Sequence, residues 1–469
     1  MDFFIFFLSS ILIILLLPIL SFKFLITSKT TNTRNASDGK IPLGSTGWPI
    51  IGEGLALLKC SQIGIPEKFF FDRIIKYSSQ IFTTSFLGEK FVCFCGATSN
   101  KFLFSNHSKY VEFSMPSTMG MIFPFTDLEK SEQVRKMILS LELKKLVGII
   151  DSITRKHFEV SWDSKKDNEV ITVYPLAKKH SFTIACKVFL SIDDPAKINE
   201  LLKKFIPIVN GFFSLQINFP GTGLNRAIKA SRVIRKEIMS IVHKRKNNNL
   251  QQPANNIHEQ DVLSHMIRDN DNDNADAKND DVETMADKMV AMLTAAYDTN
   301  SVVITNITKY LAELPEIYDA VRIEQINIAK AKGPGELLNL ADIQNMKYSW
   351  ERGLIFHSKG KKDMLECSVD TQDPEYFTNP EKFDPSRFKG SGPAPYTFVP
   401  FGGGPHTCPG KEYAKLTILV FMHHLVTRYK WRNLFSSPDD VGKLIFNLYP
   451  LPRNGLPILL QPHADDIKS

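Results

Sequence analysis

The residues best placed to do chemistry form one short run, Phe401-Gly402-Gly403-Gly404-Pro405-His406-Thr407-Cys408-Pro409-Gly410. Glycines ahead of the cysteine let the backbone approach a flat ligand closely, because no side chain intervenes. Pro409 sits beside the first turn of a predicted helix, where a missing N–H costs little. Cys408 therefore stands near a helix N-terminus, whose partial positive charge favours the thiolate, the form of cysteine that binds metal. The bland alternative is a glycine-rich loop around a structural cysteine. A nucleotide-phosphate loop fits less well, since no Gly-Lys-[Ser/Thr] completes it.

The elements that must hold this run are mostly helical. Apolar residues recur at three- and four-residue steps over Leu146–Trp162, Ala196–Phe213, Leu224–Lys246, Val282–Leu314, Ile317–Ala331 and Lys411–Tyr429. Short strand-like runs occupy Gln80–Ser85 and Glu89–Phe94. The expected fold class is mainly α with small β-sheets, in one large domain from residue 60 to 469. With 469 residues, 43% of them hydrophobic and 34 of them Phe, the chain can bury a large core. A net charge of +7 is modest, and no basic stretch interleaved with aromatics indicates nucleic acid. An acidic partner or an anionic membrane surface fits that charge equally well.

Six cysteines are too sparse for a disulfide scaffold. Cys93 and Cys95 alternate with apolar residues and so share one face of a strand as buried small hydrophobes; a zinc site would normally need two further ligands. The acidic run Asp269 to Asn274, with Asp280 beyond it, faintly echoes a calcium loop but lacks the turn glycine, so it reads as a solvated loop. Between Asp2 and Lys23 there is no charged residue, which is just long enough for a membrane-spanning helix. The acidic start and the absence of a small-x-small cleavage site favour a retained anchor at 1–22 over a signal peptide. Lys23, Lys29, Arg34 and Lys40 follow it and put the remainder on the cytosolic side. Residues 23–59 read as a linker ending in a stiff Pro/Gly hinge.

The Cys408 run resembles the heme-binding loop of the cytochrome P-450 superfamily, Phe-x-x-Gly-x-[Arg/His]-x-Cys-x-Gly, with Phe401, Gly404, Cys408 and Gly410 at its four fixed positions. The resemblance implies heme b (iron protoporphyrin IX), Cys408 as the iron ligand and His406 at the place of a propionate-contacting Arg. His is a weaker, pH-dependent partner than Arg. Ala295-Ala296-Tyr297-Asp298-Thr299-Asn300 resembles the family's central-helix pattern [Ala/Gly]-Gly-x-[Asp/Glu]-Thr-[Thr/Ser], which makes Asp298 and Thr299 the implied proton-delivery pair. By itself an Asp-Thr pair on an apolar helix is usually structural. Ala296 and Asn300 depart from the pattern. Ser131 to Arg135 aligns with the family's Trp-x-x-x-Arg helix without its Trp, and leaves Arg135 either a propionate contact or an ordinary surface arginine.

Phe383 to Phe388, Gly392 to Phe401, Pro409 to Leu416 and Asn218 to Thr222 look like the plant group that oxidises triterpenoid scaffolds, of the beta-amyrin 28-oxidase type. That implies a monooxygenase acting on a hydrophobic terpenoid or sterol-like substrate with dioxygen. It further implies electrons from NADPH-cytochrome P-450 reductase and a single-pass anchor in the endoplasmic reticulum membrane. One departure is large. The family's Glu-x-x-Arg does not occur between Pro315 and Phe377, and roughly two dozen residues look deleted near 351–372. Glu351 and Arg352 are adjacent and cannot share a helical face. The second reading is therefore an impaired or heme-free relative, in which Arg387 of the Pro-x-Arg-Phe segment lacks its carboxylate.

Overall fold

The computed structural model describes residues 41–48, 51–62, 67–86, 89–106, 109–111, 117–123, 143–164, 169–212, 214, 216–251, 261–271, 281–360, 376, 392–434, 444–446 and 450–463. The expected anchor at 1–22, Arg135, most of the acidic loop and Arg387 lie outside the described residues. No helix among the described residues is long and apolar enough to cross a membrane.

In chain order the helices are α1 (Gly54–Gln62), α2 (Glu67–Tyr77), α3 (Ala97–Ser105), α4 (Ser117–Ile122), α5 (Leu143–Ser161), α6 (Val173–Leu190), α7 (Pro195–Asn210), α8 (Gly223–Gln251), α9 (Val262–Asp271), α10 (Val282–Glu313), α11 (Pro315–Lys330), α12 (Leu340–Asn345), α13 (Lys347–Gly360) and α14 (Lys411–Arg428). Short strands complete the body: β1 (Ile81–Phe86), β2 (Glu89–Phe94), β3 (Val170–Thr172), β4 (Tyr429–Asn433), β5 (Leu444–Phe446), β6 (Pro450–Pro452) and β7 (Pro457–Pro462). β1 and β2 form an antiparallel pair, β3-β7-β4 an antiparallel three-stranded sheet, and β5-β6 a further antiparallel pair. Mainly helical structure with small sheets is thus what the periodicity predicts.

The central element is α10. Asp281 caps its start by accepting the Thr284 N–H, and from Met285 to Leu311 most of its side chains are buried. It packs along α6 on one side and against α8, α13 and α14 elsewhere. Buried residues of α5, α6, α10 and α14 belong to one continuous apolar core. A smaller cluster, Leu57, Phe69, Phe70, Phe82 and Cys95, seals the β1-β2 pair against α1 and α2. Cys95 is fully buried and Cys93 partly so, on the shared face that the alternation predicts.

The hinge residues belong to the body. Thr83 donates its N–H to the Leu43 carbonyl and accepts the Ser45 N–H, so the segment lies along β1. Gly44 approaches Thr83 so closely that a Cβ would stand 1.9 Å from the Thr83 carbonyl oxygen. Where residues are expected to be deleted, a helix, α13, occupies Lys347–Gly360 and carries no Glu-x-x-Arg pair.

Candidate functional site

The cysteine loop folds through two left-handed glycines, Gly402 at φ 68° and Gly404 at φ 63°. A single 3-10 turn, Gly404–His406, follows, closed by the Thr407 N–H and hydroxyl on the Gly404 carbonyl. Cys408 then donates its N–H to the Phe401 carbonyl at 2.8 Å, which returns the loop on itself just before α14. Gly403 lies against Phe104 of α3, where a Cβ would meet the ring at 2.5 Å. A Cβ at Gly404 would meet the Phe104 carbonyl oxygen at the same distance. Gly410 is the N-cap of α14, and a Cβ there would sit 3.9 Å from the Cys408 sulfur.

Cys408 itself is exposed. Its thiol therefore sits at the mouth of a long helix whose residues from Leu416 to Thr427 are all buried. The dipole of such a helix favours a negative charge at that end. A thiolate donor at an accessible helix N-terminus, on a loop of glycines that keeps side chains away, suits an axial ligand to a flat metallomacrocycle. The donor set fits heme b.

On α10, Ala295 is the one exposed position between Met285 and Leu311, and Thr299, one turn later, is half-buried. Ala295 and Thr299 thus form an accessible patch on a mostly buried stretch of helix. The Thr299 hydroxyl donates back to the Ala295 carbonyl at 2.6 Å. Asp298 faces elsewhere. It is buried, accepts a hydrogen bond from the Tyr174 hydroxyl at 2.6 Å and pairs with the Lys178 ammonium at 3.1 Å. Lys178 also lies over the rings of Tyr174 and Tyr297. The acid and the hydroxyl expected to act together are thus set on different flanks of α10, the acid tied to α6. Asn300 is buried, and its amide nitrogen has no hydrogen-bond partner among the described residues. α10 runs through Ala296 as one continuous helix.

Of the other expected site residues, Phe401 is half-buried and its ring stacks on Trp350 of α13. His406 lies within the 3-10 turn. Arg352 of α13 is buried, 5% exposed, with its guanidinium 4.4 Å from the Tyr348 ring centroid. Its Nε and Nη1 have no hydrogen-bond partner among the described residues. Glu351, next to it, is exposed. Sequence reasoning missed Tyr174, Lys178 and Trp350. The first two lie on α6, where no motif marks them. Trp350 is visible as an aromatic in a helical stretch, but only the fold brings it to the loop.

A second polar assembly braces α14 from behind. His424 shares a hydrogen bond with Asp151 of α5 at 2.5 Å, and Asp151 also accepts from Arg155 and the Leu338 N–H. Burial works to raise the Asp151 carboxyl, but His424, Leu338 and Arg155 together hold it below the usual carboxylate range. His423 pairs with Gln325 of α11, and His180 of α6 with Thr154 of α5. Burial drives the pKa of His157 and His423 down to about 3, and those of His180 and His424 below the ordinary imidazole value.

A family model described as cytochrome P450 matches residues 42–349 and 359–447. The match lapses over α13, beginning one residue after Ser349. A beta-amyrin 28-monooxygenase from Solanum lycopersicum is 43% identical over 474 residues, covering 94% of this chain and 97% of that protein. A protein of the same description from Vitis vinifera is 44% identical, covering 90% and 92%. A beta-amyrin 6-beta-monooxygenase from Solanum lycopersicum is 41% identical, covering 92% and 95%. The first of these alignments is 474 residues long yet takes up 94% of a 469-residue chain, so the relative carries positions that this chain lacks. Among solved structures, a retinoic acid-bound cyanobacterial CYP120A1 superposes with a TM-score of 0.76 at 23% identity, covering 90% of this chain and 99% of that one. That likeness is one of fold.

Proposed function

Because the chain belongs to the cytochrome P450 family, whose cofactor is heme b, we propose that it is a heme-thiolate monooxygenase with Cys408 as the iron ligand. Its substrate is an apolar triterpenoid scaffold of the beta-amyrin kind. Support for the ligand comes from one arrangement: an exposed cysteine at the N-terminus of α14, its N–H fixed on the Phe401 carbonyl. Support for the substrate comes from relatives described as oxidising beta-amyrin at two different positions, so the scaffold is carried over and the carbon is not.

Bound heme supplies dioxygen activation and the insertion of one oxygen atom into a C–H bond. The chain's own residues bind, orient and protonate. The glycine loop, fitted closely on Phe104, presents Cys408 at the N-terminus of α14, where the macrocycle would lie. Phe401 and Gly410 line that loop, and His406 and Arg135 are the cationic candidates for the propionates. Thr299 holds a hydroxyl on the accessible patch of α10, which in this reading lines the substrate cleft. Asp298, held by Tyr174 and Lys178, connects that helix to α6 and serves as the acid that resupplies protons. Electrons come from NADPH-cytochrome P-450 reductase. The uncharged run at residues 1–22 supports a single-pass anchor in the endoplasmic reticulum membrane, with the body on the cytosolic side and the chain ahead of the Pro/Gly segment linking the two.

One observation favours a second reading, a catalytically impaired or heme-free paralogue or splice product. The family match lapses at α13, and Arg352 is buried there with two of its nitrogens lacking partners among the described residues. A reduced, carbon monoxide-bound absorbance spectrum of the full chain separates the two readings. The thiolate-type band is expected, and Cys408→Ser should abolish it. Absence of any heme band from the folded wild-type chain sinks the monooxygenase reading.

A further inference from the structure

We infer that Trp350 is a positioning residue for the cysteine loop: it fastens α13 to Phe401 and, through the Phe401 carbonyl, steadies Cys408. The inference rests on the reading of Cys408 as the heme ligand. The Trp350 and Phe401 rings lie with centroids 6.1 Å apart and planes 24° apart. Both residues are half-buried, and Trp350 also packs on the main apolar core. The Lys415 ammonium stands 5.5 Å from the Trp350 centroid, and the Lys411 ammonium 5.9 Å from that of Phe401. Lys411 and Lys415 are one helical turn apart, so they share a face of α14. Three elements therefore meet on two rings: α13 gives one ring, the loop the other, and α14 a cation for each. Cations over aromatic faces and offset aromatic pairs are each attractive beyond the area they bury.

The consequence for the sulfur follows from one hydrogen bond. Phe401 accepts the Cys408 N–H at 2.8 Å, so a tilt of the Phe401 residue carries the cysteine with it. Gly403 and Gly404 against Phe104 fix the loop to α3 independently. Trp350 supplies the corresponding link to α13, the helix in which no Glu-x-x-Arg follows and over which the family match lapses. An aromatic contact thus couples the loop to a helix that has lost its ionic lock.

The test uses the full chain in membranes as wild type, Trp350→Leu, Trp350→Phe and Lys415→Met, with far-UV circular dichroism as the check on folding. Two quantities are read. One is the ratio of the thiolate-type band to the shorter-wavelength band of a lost thiolate in the reduced, carbon monoxide-bound spectrum. The other is the alkylation rate of Cys408, followed by mass spectrometry of its peptide. Trp350→Leu should change both by ~3–30-fold toward a loosened sulfur, Trp350→Phe should stay within ~2-fold of wild type, and Lys415→Met should fall between. Trp350→Leu indistinguishable from wild type in both readouts overturns the inference. So does a Trp350→Phe chain as impaired as Trp350→Leu, since a retained ring would then have rescued nothing. If Trp350→Leu does not accumulate folded, Lys415→Met decides: a rise in Cys408 alkylation supports the clamp, and an unchanged rate overturns it. A wild-type chain with no heme band counts against the monooxygenase reading, while the alkylation arm still judges the clamp.

Discussion

Asp298 and Thr299 are neighbours in the chain that the helix turns toward different partners, and their mutants should separate accordingly. Thr299→Ala removes the hydroxyl at the cleft and should lower product formation by ~10²-fold, with hydrogen peroxide release rising as NADPH continues to be consumed. Tyr174→Phe leaves the cleft intact but takes away one of the two groups that hold the Asp298 carboxylate. Product formed per NADPH should fall several-fold while substrate affinity stays put. Unchanged coupling in Tyr174→Phe would mean that Asp298 is a structural residue and not a proton source. Cys408, Phe401 and Thr299 were legible in the sequence because each belongs to a short local pattern. Tyr174 and Lys178 were not, because what matters is a contact spanning 124 residues for Tyr174, and no local pattern encodes it.

Among the elements, α13 carries the sharpest conflict between sequence and surroundings. Ser349, at its start, is held by Glu324 and Gln325, and the Glu324 carboxylate also accepts the Tyr348 and Ser349 N–H groups. The helix is therefore well nucleated. One turn later Arg352 is buried beside Tyr348, with two nitrogens unpaired among the described residues. Arg352→Met keeps the length of the stem and removes the buried charge. It should stabilise the chain by about 1–3 kcal/mol in a denaturant titration. A loss of stability instead would reveal an anionic partner for the guanidinium. The longest helix that sequence periodicity failed to single out is α6. Its buried residues, from Val173 through Leu190, face α5, α7, α9 and α10 in turn, and only a narrow half-exposed stripe, Lys179, Thr183 and Lys187, breaks them. A helix buried on most sides loses the 3.6-residue alternation by which amphipathic helices are recognised. α7, with a polar face and an Asp194-Pro195 start, was found within one residue at its N-terminus.

At the scale of the whole molecule, four buried imidazoles, two on α14, one on α5 and one on α6, tie stability to pH. His157, His180, His423 and His424 are kept neutral by burial in the folded chain, and their ordinary value of about 6.5 returns on unfolding. Below that value the unfolded chain binds protons that the folded chain refuses. Stability is therefore complete above about pH 6.5 and falls as the pH drops. For His157 and His423, held near 3, the loss between pH 7 and 5.5 is about 1 kcal/mol each, and His180 and His424 add to it in the same direction. Denaturant midpoints measured across that range should show the decline, and His423→Gln should make it shallower. A flat profile would show that these rings exchange protons freely in the folded state. None of this was foreseen, since four histidines scattered over nearly 270 residues have no spacing to notice. The mainly helical body, by contrast, was readable because long periodic segments carry their own signal.

The three adjoining glycines of the cysteine loop answer to separate demands: handedness at Gly402, clearance at Gly403, and both at Gly404. A segment constrained at each successive position is cast in its final shape when the protein folds. The entropic penalty of ordering it then falls on folding, and little is left to oppose capture of the pigment.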